Sequence, residues 1–195
     1  MPEDKRYAGY LFSVCDILNA LRREKGTVLC AVDGRCGSGK TSFAREIAKE
    51  TGAGIVHADD FYLRPFQRTP ERYAEPGGNL DRERLEAEVL SPLHEGKDAV
   101  YRVFDPSIMD FSGEKTIKAP ALVIVEGSYS THPALFSYYD LTVFCTVGPG
   151  EQLRRIRVRN GEEKAKQFEA RWIPLEELYF TNMDPAERCR FVFTM

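Results

Sequence analysis

No stretch of this 195-residue chain approaches the roughly twenty consecutive apolar residues that a membrane-crossing helix requires, so a membrane is not an expected partner. The nearest thing to a leader is Lys5-Arg6 followed by the uncharged Tyr7 to Cys15. Leu11, Val14, Leu18 and Leu21 carry helical spacing straight through Asp16 and Asn19, which predicts an amphipathic helix over 8–24, ending near Gly26. Cysteines stand only at 15, 30, 36, 145 and 189, an odd set without C-x-x-C spacing, for which a reducing compartment is the simplest reading. Cys30 and Cys145 lie in apolar runs where a reduced thiol acts as a small hydrophobe, and a cytoplasmic location is expected. His57 and His132 have no ligand spacing, so zinc chemistry lacks a foundation. A net charge of −3 supplies no basic surplus for nucleic acid. Repeats and low-complexity tracts are absent too. With 43% hydrophobic and 29% charged residues, the chain reads as one domain over 1–195, an N-terminal helix (1–26) leading into a core (27–195).

What is present is concentrated at residues 34–41, Gly34-Arg35-Cys36-Gly37-Ser38-Gly39-Lys40-Thr41, a full match to G-x-x-x-x-G-K-[ST]. Glycines let successive N–H groups turn into one concavity, a nest for anionic oxygens. Lys40 can reach β- and γ-phosphates, the Thr41 hydroxyl can ligate Mg²⁺, and the helix that follows directs its positive end at the anion. Residues Gly34, Arg35, Cys36, Gly37, Ser38, Gly39, Lys40, Thr41 and Ser42 are therefore the expected nucleotide cradle. Context agrees. The apolar run 27–32 before the loop reads as a buried parallel strand, and Phe43, Ala44, Ile47 and Ala48 after it recur at helical spacing.

Strand-like and helix-like patterns then alternate, which predicts an α/β domain with a parallel sheet. Strands are expected at 27–32, 54–58, 121–125, 141–147 and 191–193, and helices at 8–24, 39–51, 81–95, 132–138, 149–160 and 164–180. Residues 63–80, with three prolines and Gly77-Gly78, read as a long surface loop.

Ligands of open parallel sheets bind beyond the carboxyl ends of the strands. There the second strand delivers Asp59-Asp60-Phe61-Tyr62 and the third Glu126-Gly127. Phosphoryl transfer needs a metal held against the phosphates and an oriented attacking hydroxyl with somewhere for its proton to go. Asp59 is the candidate for the acceptor hydroxyl and Glu126 for the metal, together with Thr41; the bland alternative for Asp59-Asp60 is a strand-end turn. Arg154, Arg155, Arg157 and Arg159 cannot share one helix face, so one or two are expected to fold over the terminal phosphate while the others are solvated or paired with Glu151, Glu162 and Glu163. Asp81 either caps the helix over 81–95 or accepts hydrogen bonds from a sugar diol, and the residues alone favour the cap.

Taken in order, Val32-Asp33-Gly34, Gly39-Lys40-Thr41, His57-Ala58-Asp59-Asp60-Phe61-Tyr62, Asn79-Leu80-Asp81, Val125-Glu126-Gly127 and the arginine helix resemble the uridine kinase family of P-loop kinases, over about residues 27 to 193. The segment Arg171-Trp172-Ile173-Pro174-Leu175-Glu176-Glu177 resembles short bacterial members of that group. The resemblance implies a P-loop NTPase fold: a five-stranded parallel sheet flanked by helices on both faces, with a short helical lid near 150–172. It implies ATP with Mg²⁺, and a hydroxyl acceptor that is nucleoside-like. It makes Asp59 the proposed general base, with Lys40, Arg155 and Arg159 as catalytic charges. Asp59, Tyr62, Asp81, Phe104 and Asp105 become acceptor-binding residues, with Asp81 on ribose hydroxyls. Departures fall on the acceptor side: Phe104 stands for an expected tyrosine, Met109 for a histidine, and the apolar Phe168 for a lid glutamine. A site lacking those hydrogen-bonding groups loses discrimination for a pyrimidine edge.

The expected partner is thus a small-molecule acceptor, with homo-oligomerisation left open. A kinase for a pantothenate- or sugar-like metabolite is the alternative within the class. A nucleotide switch would draw on Asp110-Phe111-Ser112-Gly113, but no N-K-x-D element accompanies it. A protein that holds ATP without turnover is opposed by the intact Lys40, Thr41, Asp59 and Glu126.

Overall fold

A computed structural model describes residues 5–195. In chain order, α1 (Lys5–Lys25), β1 (Val28–Gly34), α2 (Lys40–Thr51) and β2 (Gly54–His57) are followed by three short helices, α3 (Pro70–Ala74), α4 (Arg82–Leu85) and α5 (Ser91–His94). Next come β3 (Ala99–Asp105), β4 (Asp110–Ile117), β5 (Leu122–Glu126), β6 (Leu141–Thr146), α6 (Pro149–Asn160), α7 (Glu162–Gln167), α8 (Ile173–Met183), α9 (Pro185–Arg188) and β7 (Phe191–Thr194).

Five strands form one parallel sheet in the order β2-β5-β1-β6-β7. Side chains of successive strand residues leave opposite faces. Val28, Cys30 and Val32 of β1, with Leu122 and Ile124 of β5, therefore pack on one face against Val14 and Leu18 of α1 and Phe43 and Ile47 of α2. Leu29 of β1 and Val123 and Val125 of β5 face the other layer, with Leu85, Val89, Leu90, Leu93, Leu135 and Tyr179. Both faces are dry, which is why β1 and β5 read as unbroken apolar runs.

Two expectations need correction, and one element lies outside the expected set. Residues 132–138 are not a helix: only Phe136–Tyr138 makes a 3₁₀ turn, because His132–Leu135 closes a tight backbone turn, with Leu135 N–H donating to His132 O. Residues 63–80 are not a bare surface loop. Pro65–Gln67 and α3 give it structure, Gly77 to Leu80 are buried, and the Arg72 guanidinium ties it down by donating to Gly78 O and Leu80 O. Residues 99–117 form an antiparallel hairpin, β3–β4, separate from the main sheet. Nothing in β4 announces a strand, since Asp110–Ile117 is exposed or half-buried throughout and offers no apolar face. Tertiary contact holds it: Tyr101 of β3 stacks on Phe61 at 5.3 Å between ring centroids, and Lys115 of β4 pairs with Asp60 at 2.8 Å.

The helices expected over 81–95 and 164–180 exist with modified geometry. Glu86–Leu90 joins α4 to α5, and Phe168–Trp172 joins α7 to α8, in wider π geometry. Such bulges recur at functional sites.

Candidate active site

The loop after β1 begins where only glycine fits. A Cβ on Gly34 would stand 1.9 Å from the Cys145 carbonyl oxygen. Gly37 and Gly39 hold φ of +74° and +100°, the left-handed region that turns their amides inward. Helix α2 starts directly at Lys40 with no side chain capping its first turn, so its N–H groups stay available to an anion. The Lys40 ammonium is held against the loop, donating to Gly34 O (2.7 Å), Arg35 O (2.8 Å) and Ser128 Oγ (3.4 Å).

Beside the loop, Thr41 Oγ1 donates to Glu126 Oε2 at 3.0 Å. The other Glu126 oxygen lies 2.5 Å from His57 Nδ1. Parallel register explains that contact, because His57 closing β2 sits opposite Glu126 closing β5. The hydrogen bond to Glu126 raises the His57 pKa against the opposing effect of burial. Thr41 and Glu126 fit Mg²⁺ as hard oxygen donors, an ion held by few protein ligands plus phosphate oxygens. Among the described residues no group of three or more His, Cys, Asp and Glu side chains has metal-holding geometry, consistent with so sparse a set.

Asp59 and Asp60 separate in role. Both line the cavity, and Asp60 also pairs with Lys115, while Asp59 opens onto the space beside the loop. Crowding by protein raises the Asp59 pKa; Glu126 pushes it further up, while the Tyr62 hydroxyl, Lys40 and His57 pull it back. A carboxylate whose pKa is moved toward working pH suits a general base.

Of the four helix arginines, 155 and 159, spaced i and i+4, line the cavity. Arg155 pairs with Glu151 at 2.7 Å and reaches the carbonyls of Gly37 and Ser38 at 3.4 Å. Arg159 lies 6.0 Å from the Phe168 ring centroid. Arg154 and Arg157 turn to Glu151 and Glu162. Two arginines on one carboxylate hold the Glu151 pKa down at about 2.

A cavity of about 900 Å³ joins Cys36, Gly37, Gly39, Lys40, Thr41 and Ser42 to Asp59, Tyr62, Phe104 and Glu126. Some expected residues lie off its wall. Gly34 and Ser38 serve the loop from behind, and Arg35 turns out to Glu177 and the Phe180 ring, 4.9 Å away. Asp105 accepts from Ser107 N–H at 2.8 Å instead of facing the cavity. Asp81, expected on a sugar diol, is buried and off the wall, one oxygen capping α4 at Arg84 N–H (3.2 Å) and the other accepting from Gln67 Nε2 (2.9 Å). The reading from the residues alone, a helix cap, describes what is there.

Other residues at the site went unpredicted. Buried Asp33 accepts five hydrogen bonds, from Gly34 N–H, Tyr129 N–H, Thr131 N–H and the hydroxyls of Thr131 and Tyr179, fixing the phosphate loop to the segment after β5. Glu176 of α8, 4% exposed, accepts from Cys36 N–H at 3.0 Å and from Ser128 Oγ at 2.6 Å. Burial, reinforced by Glu176, pushes the Cys36 thiol up to about 12, so it stays neutral. Arg68 and Asn79 also line the cavity. No spacing rule could have linked these positions, which lie up to 146 residues apart in the Asp33–Tyr179 pair.

No family model matches the chain. Thymidylate kinase of Xanthomonas campestris pv. campestris is 26% identical over 183 aligned positions, spanning 86% of this chain and 71% of that protein. Among solved structures, one from Bacillus stearothermophilus described as a possible uridine kinase superposes with a TM-score of 0.61 at 18% identity, over 93% of this chain and 99% of that one. A provisionally named fructose transport system kinase from Silicibacter sp. TM1040 gives 0.65 at 19% identity, over 94% and 98%. Among the described residues no helix is long and apolar enough to cross a membrane. By its sheet order, its loop and these neighbours, the chain has the kinase-like P-loop fold, the architecture expected from its resemblance to uridine kinase-like P-loop kinases.

Proposed function

We propose that the protein is an ATP-dependent kinase that moves the γ-phosphoryl group to a hydroxyl of a small molecule. The observation that carries this reading is the single cavity shared by the phosphate loop and Asp59. A triphosphate-binding switch needs no carboxylate to orient an acceptor hydroxyl beside its phosphate loop; a phosphotransferase uses one.

ATP with Mg²⁺ would supply the phosphoryl group and neutralise its charge. The loop amides and Lys40 would grip the phosphates, with Thr41 and Glu126 near the metal. Asp59 would orient the acceptor hydroxyl and take its proton as the new P–O bond forms and the γ-phosphorus bond to the bridging oxygen breaks, releasing ADP. Arg155 and Arg159, from the wall over the loop, would stabilise charge on the transferring group. Phe104, Met109, Phe168 and Trp172 would shield the site from water. A nucleoside-like acceptor follows from the sequence resemblance; a pantothenate- or sugar-like acceptor is the second reading, favoured by the apolar Phe104 and Met109 on the cavity wall.

The test is ADP release from ATP against nucleosides, deoxynucleosides, hydroxy acids, sugars and sugar phosphates. Acceptor-dependent release in any class supports the kinase. ATP binding with no acceptor-dependent release across the panel overturns it.

A further inference from the structure

Five arginines stand between residues 64 and 84. Arg64 faces Asp110 at 4.0 Å, Arg72 pairs with Glu83, Arg82 with Glu75 and Arg84 with Glu88. Arg68 alone has no carboxylate partner among the described residues, and it is the one of the five on the cavity wall. Its Nε donates to Leu63 O at 2.8 Å, and its guanidinium lies 5.7 Å from the Phe104 ring centroid. One edge of the fork is thereby fixed and the remaining N–H groups are left unspent.

Asn79 lines the same cavity at 7% exposure, and its side-chain amide makes no hydrogen bond among the described residues. The Asn79 amide is not among the side-chain polar atoms sealed without a partner, so it opens onto the cavity, where a ligand can take up its hydrogen-bonding capacity. Phe104, Pro106 and Met109 complete the wall with apolar surface, which lowers the local dielectric and strengthens any ion pair made there.

Resting on the kinase reading above, we propose that the acceptor carries an anionic group, a carboxylate or a phosphate monoester, which Arg68 takes in a forked hydrogen-bonded pair and Asn79 supports with its amide. The guanidinium fork matches both anions bidentately. Asp59, Asp60 and Glu126 repel an anion from the reacting end, so the charge also fixes which way the acceptor enters. A neutral acceptor would leave Arg68 and Asn79 unpaired inside the closed complex.

The experiment uses matched pairs that differ only in charge: hydroxy acids with their primary amides, and sugar phosphates with their parent sugars. With a non-hydrolysable ATP analogue and Mg²⁺ present, melting temperature is read for each ligand on wild type, Arg68→Gln, Arg68→Lys and Asn79→Ala. Expected are a rise with an anionic member only, its loss in Arg68→Gln, and partial retention in Arg68→Lys. In turnover, Arg68→Gln should raise KM for the anionic acceptor about tenfold or more with kcat far less affected. Asn79→Ala should weaken the same ligands without lowering the unliganded melting temperature, a result that a structural asparagine would not give. Which pair responds separates carboxylate from phosphate. Equal response to neutral and anionic members, or equal loss of both in Arg68→Gln, overturns the proposal. An anion-dependent shift without ADP release keeps the anion site and overturns the kinase; turnover of neutral acceptors alone does the reverse.

Discussion

The two ends of the cavity differ in how much of their hydrogen-bonding capacity the fold itself consumes. At the phosphate loop, Lys40 is engaged by two carbonyls and Ser128, Glu126 by Thr41 and His57, and Asp33 accepts five bonds. At the other end, Arg68 spends one N–H and Asn79 none among the described residues, between the apolar surfaces of Phe104 and Met109. A region whose groups are already satisfied is held in one geometry before any ligand arrives. A region with unspent groups waits for the ligand to complete it. On the kinase reading, the first would suit the phosphoryl donor and the second the choice of acceptor.

The comparison breaks most visibly at the point where the two ends meet. Asp59→Asn should lower kcat by about 10²–10⁴-fold, the range for losing a general base. ATP affinity should hardly move. Because the Asp59 pKa is raised, kcat/KM for the acceptor should climb with pH through an apparent pKa above the usual carboxylate range, and Asp59→Asn should flatten that limb. If ATP binding collapses in this variant and turnover survives, Asp59 belongs to the donor end. Lys40→Ala should cost about 10²–10³-fold in kcat by removing a charge aimed at the phosphates; full turnover would remove the loop from the mechanism. Glu176→Gln sharpens the donor end. Removing a negative charge that sits on the Cys36 amide should tighten ATP binding by about tenfold, read by calorimetry, whereas weaker binding would make Glu176 a support of the loop. The smallest effect is expected at Asp81. Asp81→Ala should lose about 1 kcal/mol of stability with the helix cap and leave acceptor KM unchanged; a raised KM would restore the diol-binding role.

Legibility in the sequence followed the same divide. The glycine loop, Lys40 and Thr41 are contiguous, Glu126 ends the plainly apolar β5 and Asp59 comes just after the short β2, so local pattern was enough to find them. The sheet was legible for the same reason. Hairpin β3–β4 was not, because its outer strand has no buried face and is held by Tyr101 on Phe61 and Lys115 on Asp60. Asn79 and Glu176 were visible as letters, but their meaning lies in burial and in partners far along the chain, or in having none. Asp81 shows the converse: local chemistry named a cap, family resemblance moved it to a substrate, and Gln67 and Arg84 hold it at the cap.

Helix α8 ties the two ends together mechanically. Trp172, on the cavity wall, immediately precedes it, and Glu176 and Glu177 grip Cys36 and Arg35 of the loop. Glu176 stands four positions after Trp172, about 6 Å along the axis. Whatever presses on the indole therefore leans on the same lever that holds the phosphate cradle. A ligand that shifts α8 at one end would alter affinity at the other, and reciprocity would make that factor equal in both directions.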